Sequence, residues 1–167
     1  MKMIFLLLII LAVPTLAQAQ DEAALEAAGC GPKNIQFEVK TDKKSHPKGQ
    51  PEPGKALVYV FDNISGVAIG GFPASRVGVD GTWVGASYKK SYFFFSVAPG
   101  AYNLCVDRMV TTFTAEPGQT RYFAVGLPDY PGGFYKVNEV SPAEAELQIG
   151  SLAHSTFTQK PAKSPNP

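Results

Sequence analysis

Two short stretches decide the fold: residues 57–61 have the sequence LVYVF, and residues 91–97 have the sequence SYFFFSV. Successive side chains of a β-strand point to opposite faces of its sheet. A strand that is apolar at nearly every position must therefore be covered on both faces. We expect both stretches to be central strands, each with a second layer of structure on the face turned away from the core.

The segments around these two strands carry turn signals. Asp80-Gly81 separates two short strand-like segments and predicts a hairpin. Pro99-Gly100 and Pro117-Gly118 predict two more turns, because proline presets φ at one central position and glycine accepts positive φ at the next. Upstream, Ile35 to Val39 alternate apolar and polar residues, as a half-buried strand does. The whole pattern predicts about eight short antiparallel strands.

One helix is predicted near the C-terminus. Ser141-Pro142-Ala143-Glu144 is a capping box, with serine at the N-cap, proline at the first helical position and glutamate at N3. The predicted fold is therefore all-β, a sandwich or a partly open barrel with one C-terminal helix. This helix and the segment around Cys30 are the expected cover for the second face of the central strands.

The N-terminus has the three parts of a secretory signal peptide. These are the basic residue Lys2, the apolar stretch Ile4 to Val13, and the cleavage site Ala17-Gln18-Ala19. An uncleaved anchor is the alternative, although the apolar stretch is shorter than the roughly 20 residues of a spanning helix. We expect an exported chain, periplasmic or secreted, that keeps no transmembrane segment after the signal is removed.

Composition divides the chain into four regions. The expected organisation is a signal peptide over residues 1–19, an N-terminal segment and Lys/Pro/Gly-rich linker over 20–54, a β-sandwich domain over 55–153 and a disordered tail over 154–167. The lysines of the linker are expected to be solvated, and a weak contact with an anionic surface is the alternative.

The two cysteines, Cys30 and Cys105, are expected to meet an oxidising compartment after export. An even count with one possible pairing predicts a Cys30–Cys105 disulfide, and two free thiols are the alternative. Residues 27–30, with the sequence AAGC, also resemble a lipidation box. Because three acidic residues separate Cys30 from the apolar stretch, a lipid anchor is the less favoured outcome.

Charge and motif content exclude several functional classes. The chain has 15 Lys and Arg against 14 Asp and Glu, so the basic excess typical of nucleic-acid binding is absent. The two histidines, His46 and His154, have no partner at metal-ligand spacing, and no nucleophile-elbow, dinucleotide or P-loop pattern occurs. We therefore predict no catalytic residue, no cofactor and no metal site.

A set of strand and turn segments recurs in a known pattern: residues 79–81 (VDG), 91–93 (SYF), 97–102 (VAPGAY), 115–118 (AEPG) and 122–123 (YF). In these pieces the chain resembles, from Lys55 to about Ile149, a bacterial exported family catalogued as domain of unknown function 2846. The resemblance implies an envelope or secreted β domain without assigned catalytic residues. Many members look like lipoproteins, and this chain departs from them because it has no well-placed lipidation box.

The remaining candidates for a functional surface are aromatic residues in or beside loops: Phe72, Trp83, Tyr130, Phe134 and Tyr135. Such residues can bind a protein, a glycan or a lipid, or they can fold back over the open ends of the sandwich. The leading hypothesis is a non-catalytic module that binds a protein or cell-envelope component through its end loops. The alternatives are a carrier of a small apolar, lipid-like ligand in a partly open barrel and, third, a hydrolase.

Overall fold

The computed structural model describes residues 30–32, 35–64, 74–107, 109–127 and 135–161. The predicted signal peptide lies outside these residues. Within them, the chain forms ten strands and one helix: β1 (Ile35–Asp42), β2 (Ala56–Asp62), β3 (Ser75–Val79), β4 (Thr82–Ser87), β5 (Ser91–Val97), β6 (Gly100–Val106), β7 (Met109–Ala115), β8 (Thr120–Gly126), β9 (Lys136–Glu139), α1 (Pro142–Ile149) and β10 (Ala153–Pro161). The predicted all-β fold with a C-terminal helix is confirmed.

The strands form two sheets that pack face to face as a sandwich, not a closed barrel. The first sheet has six strands in the order β1-β10-β5-β2-β8-β9, and the second has four in the order β4-β3-β6-β7. Most neighbouring strands are antiparallel, as expected, but β2 pairs with β8 and β10 pairs with β5 in parallel. No helix in the described part of the chain is long and apolar enough to cross a membrane.

The two stretches that decide the fold are central strands of the first sheet. Every residue of β2 is buried. Its inward residues Val58 and Val60 pack with Phe93 and Phe123 in the core between the sheets. The interior is filled by side chains of both sheets, including those of Phe93, Phe95, Tyr102 and Leu104.

The second face of β2 and β5 is covered by α1 and by the linker. Ala145 of α1 is fully buried against the outward residues of these strands, among them Tyr59 and Tyr92. The Tyr59 hydroxyl accepts a 2.7 Å hydrogen bond from the Gly49 N–H, and the Tyr92 hydroxyl donates a 3.0 Å bond to the Pro47 carbonyl. The prediction that the helix covers this face is confirmed. The prediction that the Cys30 segment also covers it is wrong, because residues 43–50, which we call the strap, lie there instead.

The predicted turns are confirmed. Asp80 and Gly81 have φ values of 45° and 80° and close the β3–β4 hairpin, a conformation that asparagine, aspartate and glycine tolerate best. Pro99-Gly100 joins β5 to β6, and Pro117-Gly118 joins β7 to β8. Each of these two turns carries the chain from one sheet to the other.

The prediction of a disordered tail is wrong for residues 154–161. They belong to β10, which pairs with β1 over residues 154–161 and with the first two residues of β5 over residues 153–154. Ser155 is buried and donates hydrogen bonds to the carbonyls of Ala86 and Tyr92, while Gln159 donates to the carbonyl of Trp83. The polar composition is explained by the outer face of β10, where Thr156, Thr158 and Lys160 are exposed. The sandwich therefore extends beyond the predicted 55–153 boundaries in both directions.

Candidate functional site

One end of the sandwich differs in character from the other. There β2, β4, β6 and β8 end, and β3, β5, β7 and β9 begin. We call it the loop end; the last residues of the four strands that end there are Asp62, Ser87, Val106 and Gly126. The three tight turns that begin at Asp80, Pro99 and Pro117 lie at the opposite end.

Asp62 is the last residue of β2 and places a carboxyl group inside the loop end. It is 3% exposed. Its Oδ1 accepts a 2.8 Å hydrogen bond from the Ile64 N–H, and its Oδ2 accepts a 3.4 Å bond from the Ser75 hydroxyl of the other sheet. Burial raises the pKa of Asp62, and the nearby Asp107 carboxylate acts in the same direction.

Asp107 follows β6 and pairs with Arg76 of β3. Its Oδ1 lies 3.7 Å from the Arg76 Nε and accepts a 3.4 Å hydrogen bond from the Arg76 N–H. Burial raises the pKa of Asp107, although both contacts with Arg76 oppose the shift. The Oδ2 of Asp107 is buried and has no hydrogen-bond partner among the described residues. The carboxyl pair thus has unused accepting capacity.

Serines continue the polar lining of the loop end. Ser75 and Ser87 face each other in the β3–β4 ladder, and both are fully buried. The Ser87 hydroxyl has no hydrogen-bond partner in the described part of the chain. The interior therefore changes from aliphatic and aromatic side chains in the middle of the sandwich to hydroxyl and carboxyl groups at this end.

Exposed apolar side chains surround this polar lining. Among the described residues, four large hydrophobic side chains are exposed: Tyr88 (41%), Met109 (37%), Leu127 (41%) and Leu147 (84%). Tyr88 directly follows β4, Met109 begins β7, and Leu127 directly follows β8. Three of the four therefore lie at the ends of strands that meet at the loop end. Leu147 lies on α1, on the outer side of the first sheet, and the next residue, Gln148, accepts a 3.0 Å hydrogen bond from the side chain of Asn63, just after β2.

Trp83 is not part of this surface, although the sequence placed it among the candidate binding residues. Its side chain is 5% exposed. The ring contacts Phe37 edge-on at a centroid distance of 5.5 Å, and the Arg76 guanidinium lies 5.3 Å from the ring centroid. Gly31 lies so close that an added Cβ would come within 2.4 Å of the indole. Trp83 is a packing residue, because the start of the described chain covers it.

The predicted disulfide between Cys30 and Cys105 is present. Cys105 is fully buried in β6, between Leu104 and Val106. The bond attaches residues 30–32 to the outer side of the second sheet. A cysteine in this bond has no free thiol to which a lipid could be attached.

The other aromatic candidates have different outcomes. Tyr135 is half-buried and packs against the core between the sheets. Burial raises its pKa, and the charges of Asp107 and Asp62 act in the same direction, which places all three groups at the loop end. Phe72, Tyr130 and Phe134 lie outside the described residues.

Sequence reasoning missed the polar residues of the loop end. The sequence pattern could have identified Asp62 as an inward-facing residue, since it continues the inward alternation of Val58 and Val60 and is the one charged residue in β2. Arg76 and Asp107 carried no comparable signal, because their pairing depends on how β3 and β6 meet.

The two histidines lie apart from this cluster. His46 is exposed in the strap. His154 is the second residue of β10 and lies beside two aromatic rings, with centroid distances of 5.4 Å to Tyr92 and 5.7 Å to Phe94. Burial lowers the pKa of His154, and the charge of Asp42 opposes this shift.

Residues 52–134 match the model of a family described as a protein of unknown function, DUF2846. The chain carries a DUF2846 domain. The match starts shortly before β2 and ends shortly before β9, so it includes both central strands and the polar residues Asp62, Arg76 and Asp107 of the loop end. A search of curated proteins and a search of solved structures each find no match to the chain.

Proposed function

We propose that this DUF2846 protein is a non-catalytic exported module that binds a protein or cell-envelope component through the loop end of its sandwich. One observation carries the proposal: three of the four exposed large hydrophobic side chains of the described residues lie at that end. Exposed apolar groups beside polar groups are typical of interaction sites. The buried Asp107 Oδ2 and Ser87 hydroxyl add polar groups without partners in the same place.

Export is supported by two features of different origin. The N-terminus has the pattern of a secretory signal peptide. The Cys30–Cys105 disulfide suits an oxidising compartment, and it uses the cysteine that a lipid anchor would need. A periplasmic or secreted protein without a lipid anchor at Cys30 fits both features.

The packing argues against the carrier alternative. Phe93 and Leu104 are buried between the sheets, and Phe95 and Tyr102 pack against them. A lipid-like ligand would have to displace these side chains. The hydrolase alternative gains no support either, because His154 contacts aromatic rings and His46 is exposed in the strap.

Site-specific photocrosslinking in the native host tests the proposal. A photoreactive amino acid is placed at Met109 or Leu127, and the control places it at Leu147, which has the same side chain as Leu127, is more exposed and lies on α1 outside the strand ends of the loop end. We expect a discrete crosslinked product from the first two positions and none from the third. Equal crosslinking from all three positions, or none from any, would contradict the proposal.

A second arm uses the substitutions Met109→Ser and Leu127→Ser, with Leu147→Ser as control. Because all three side chains are exposed, each substitution should change the unfolding free energy by no more than about 0.5 kcal/mol. With the photoreactive residue at Met109, Leu127→Ser should weaken the crosslink and Leu147→Ser should not. With the photoreactive residue at Leu127, Met109→Ser should weaken it and Leu147→Ser should not. This arm separates loss of binding from loss of folding.

A further inference from the structure

The fold brings two pairs of lysines together at one corner of the loop end. Lys43 and Lys44 directly follow β1, and Lys89 and Lys90 follow Tyr88 in the connection between β4 and β5. All four residues are exposed. We call them the lysine patch.

The first residues of β10 join the two pairs. The Ala153 N–H donates a 3.0 Å hydrogen bond to the carbonyl of Lys90. The next residue, His154, is the ladder partner of Asp42, which immediately precedes Lys43. The two lysine pairs are 46 positions apart in the sequence, and the start of β10 lies between them in the fold. Most of this strand belongs to the segment that was predicted to be a disordered tail.

The positive charge of the patch is largely uncompensated. Among the described residues, none of its four lysines makes an ion pair, whereas Lys55 pairs with Glu52 and Lys160 pairs with Glu38. The acidic residue beside the patch is Asp42, and its Oδ1 accepts hydrogen bonds from the backbone N–H groups of Lys44 and Ser45. A chain that is near neutral as a whole therefore concentrates positive charge here.

An exposed aromatic side chain accompanies the lysines. Tyr88 is 41% exposed, and the Lys89 Nζ lies 6.0 Å from its ring centroid. Tyrosine is enriched where protein meets the boundary between lipid and water, since its ring is apolar and its hydroxyl is polar. Clustered lysines are attracted to the phosphates of anionic lipids.

We propose that the lysine patch and Tyr88 dock on the surface of an anionic phospholipid bilayer. Four flexible ammonium groups on exposed connections suit a diffuse layer of phosphate charge, whereas bidentate recognition of one fixed group is typical of arginine. The proposal goes beyond the loop-end function, because it assigns a lipid ligand to a neighbouring surface. Docking there holds the loop end close to the membrane.

Sedimentation with vesicles tests this proposal on the mature chain. Vesicles of phosphatidylcholine alone are compared with vesicles of phosphatidylcholine and phosphatidylglycerol in equal parts, at low salt. We expect binding to the anionic vesicles only. Replacing all four lysines (K43Q/K44Q/K89Q/K90Q) should weaken that binding by about tenfold or more, because each lysine near an anionic surface contributes to the attraction.

The matched control is K55Q/K160Q, which removes two lysines that lie away from the patch and pair with glutamates. It is compared with K89Q/K90Q, which lowers the net charge by the same amount. We expect K89Q/K90Q to weaken vesicle binding and the control to leave it within about twofold. An unchanged Trp83 fluorescence spectrum confirms that each variant is folded.

Three outcomes would overturn the proposal. They are failure of the wild-type chain to bind anionic vesicles, an equal loss in both double variants, and equally strong, lysine-dependent binding to a soluble polyanion such as dextran sulfate. The last outcome would indicate a general polyanion site. None of them bears on crosslinking from Met109 or Leu127, so this proposal and the loop-end function can fail separately.

Discussion

The indole nitrogen of Trp83 donates a 2.9 Å hydrogen bond to the carbonyl oxygen of Pro32, 51 residues earlier in the chain. Gly31 lies directly against the same ring, and Cys30 is bonded to Cys105. Three consecutive residues are thus each attached to the second sheet, through β4 or β6. The protein has one tryptophan, so its fluorescence reports on this attachment directly.

Replacing both cysteines (C30S/C105S) should lower the free energy of unfolding by about 2–5 kcal/mol. The disulfide joins residues 75 positions apart. The chain-entropy model gives about 4.5 kcal/mol for a loop of that length. Chemical denaturation followed by Trp83 fluorescence measures the loss. Reduction of the wild type should reproduce it, and reductant should have no effect on the double variant. Identical midpoints for wild type and variant would show that the bond does not stabilise the fold.

Local sequence patterns were enough to predict the central strands, the hairpin, the turns and the helix. LVYVF is buried at every position, and SYFFFSV is buried at its first three positions and half-buried at the other four, so both strands are covered on both faces as their apolar runs predict. Ser141 caps α1, since its side chain accepts the Glu144 N–H as the capping box requires. Each of these features depends on a few neighbouring residues, so the local sequence is enough to predict it.

The features that could not be predicted depend on contacts between distant segments. Residues 154–161 are rich in Ser and Thr, and they become a strand because β1 provides a backbone partner. Residues 43–50 are rich in Lys, Pro and Gly, and they lie over the sheet because Tyr59 and Tyr92 bond to their backbone. The candidate site is of the same kind, since Asp62, Arg76 and Asp107 come from three strands or their ends. Composition alone does not reveal such partners.

Phe157→Ala should destabilise the protein, although the sequence assigned this residue to a disordered tail. Its ring lies 6.3 Å from that of Phe37 and 6.5 Å from that of Phe93. Because the ring is half-buried, the loss should be on the order of 2–3 kcal/mol, below that of a fully buried phenylalanine. Thr158→Ala, at the next and exposed position, is the control and should cost no more than about 0.5 kcal/mol. Equal denaturation midpoints for the two variants would argue against an ordered β10.

Tyr59→Phe should be more destabilising than Tyr122→Phe, although the two rings stack at a centroid distance of 5.2 Å. The Tyr59 hydroxyl accepts the Gly49 N–H, and removing it leaves that half-buried donor without a partner, at a cost of about 1–2 kcal/mol. The Tyr122 hydroxyl makes no hydrogen bond within the described residues, so its removal should change stability by no more than about 0.5 kcal/mol. Amide exchange at Gly49 should accelerate in the first variant only. Equal exchange rates in both variants would mean that the strap is held by other contacts.

Asp62→Asn should stabilise the protein at neutral pH and lose this advantage in acid. Burial raises the pKa of Asp62 in the folded state above its ordinary value of 3.8. Between those two pKa values the folded chain binds more protons than the unfolded chain, so the stability of the wild type falls as pH rises through that interval and stays lower above it. Asparagine has no such ionisation, and its amide can still accept the Ile64 N–H and donate to the Ser75 hydroxyl.

Glu52→Gln is the control for Asp62→Asn, and its effect on stability should have the opposite sign. A hydrogen bond and the charge of Lys55 lower the pKa of Glu52, so wild type should be slightly more stable than that variant at neutral pH and lose the difference as pH falls. Thermal denaturation of the three proteins from about pH 3 to about pH 8 measures both differences. If the melting temperatures of Asp62→Asn and of the wild type change in parallel with pH, burial of this carboxyl does not penalise its charge.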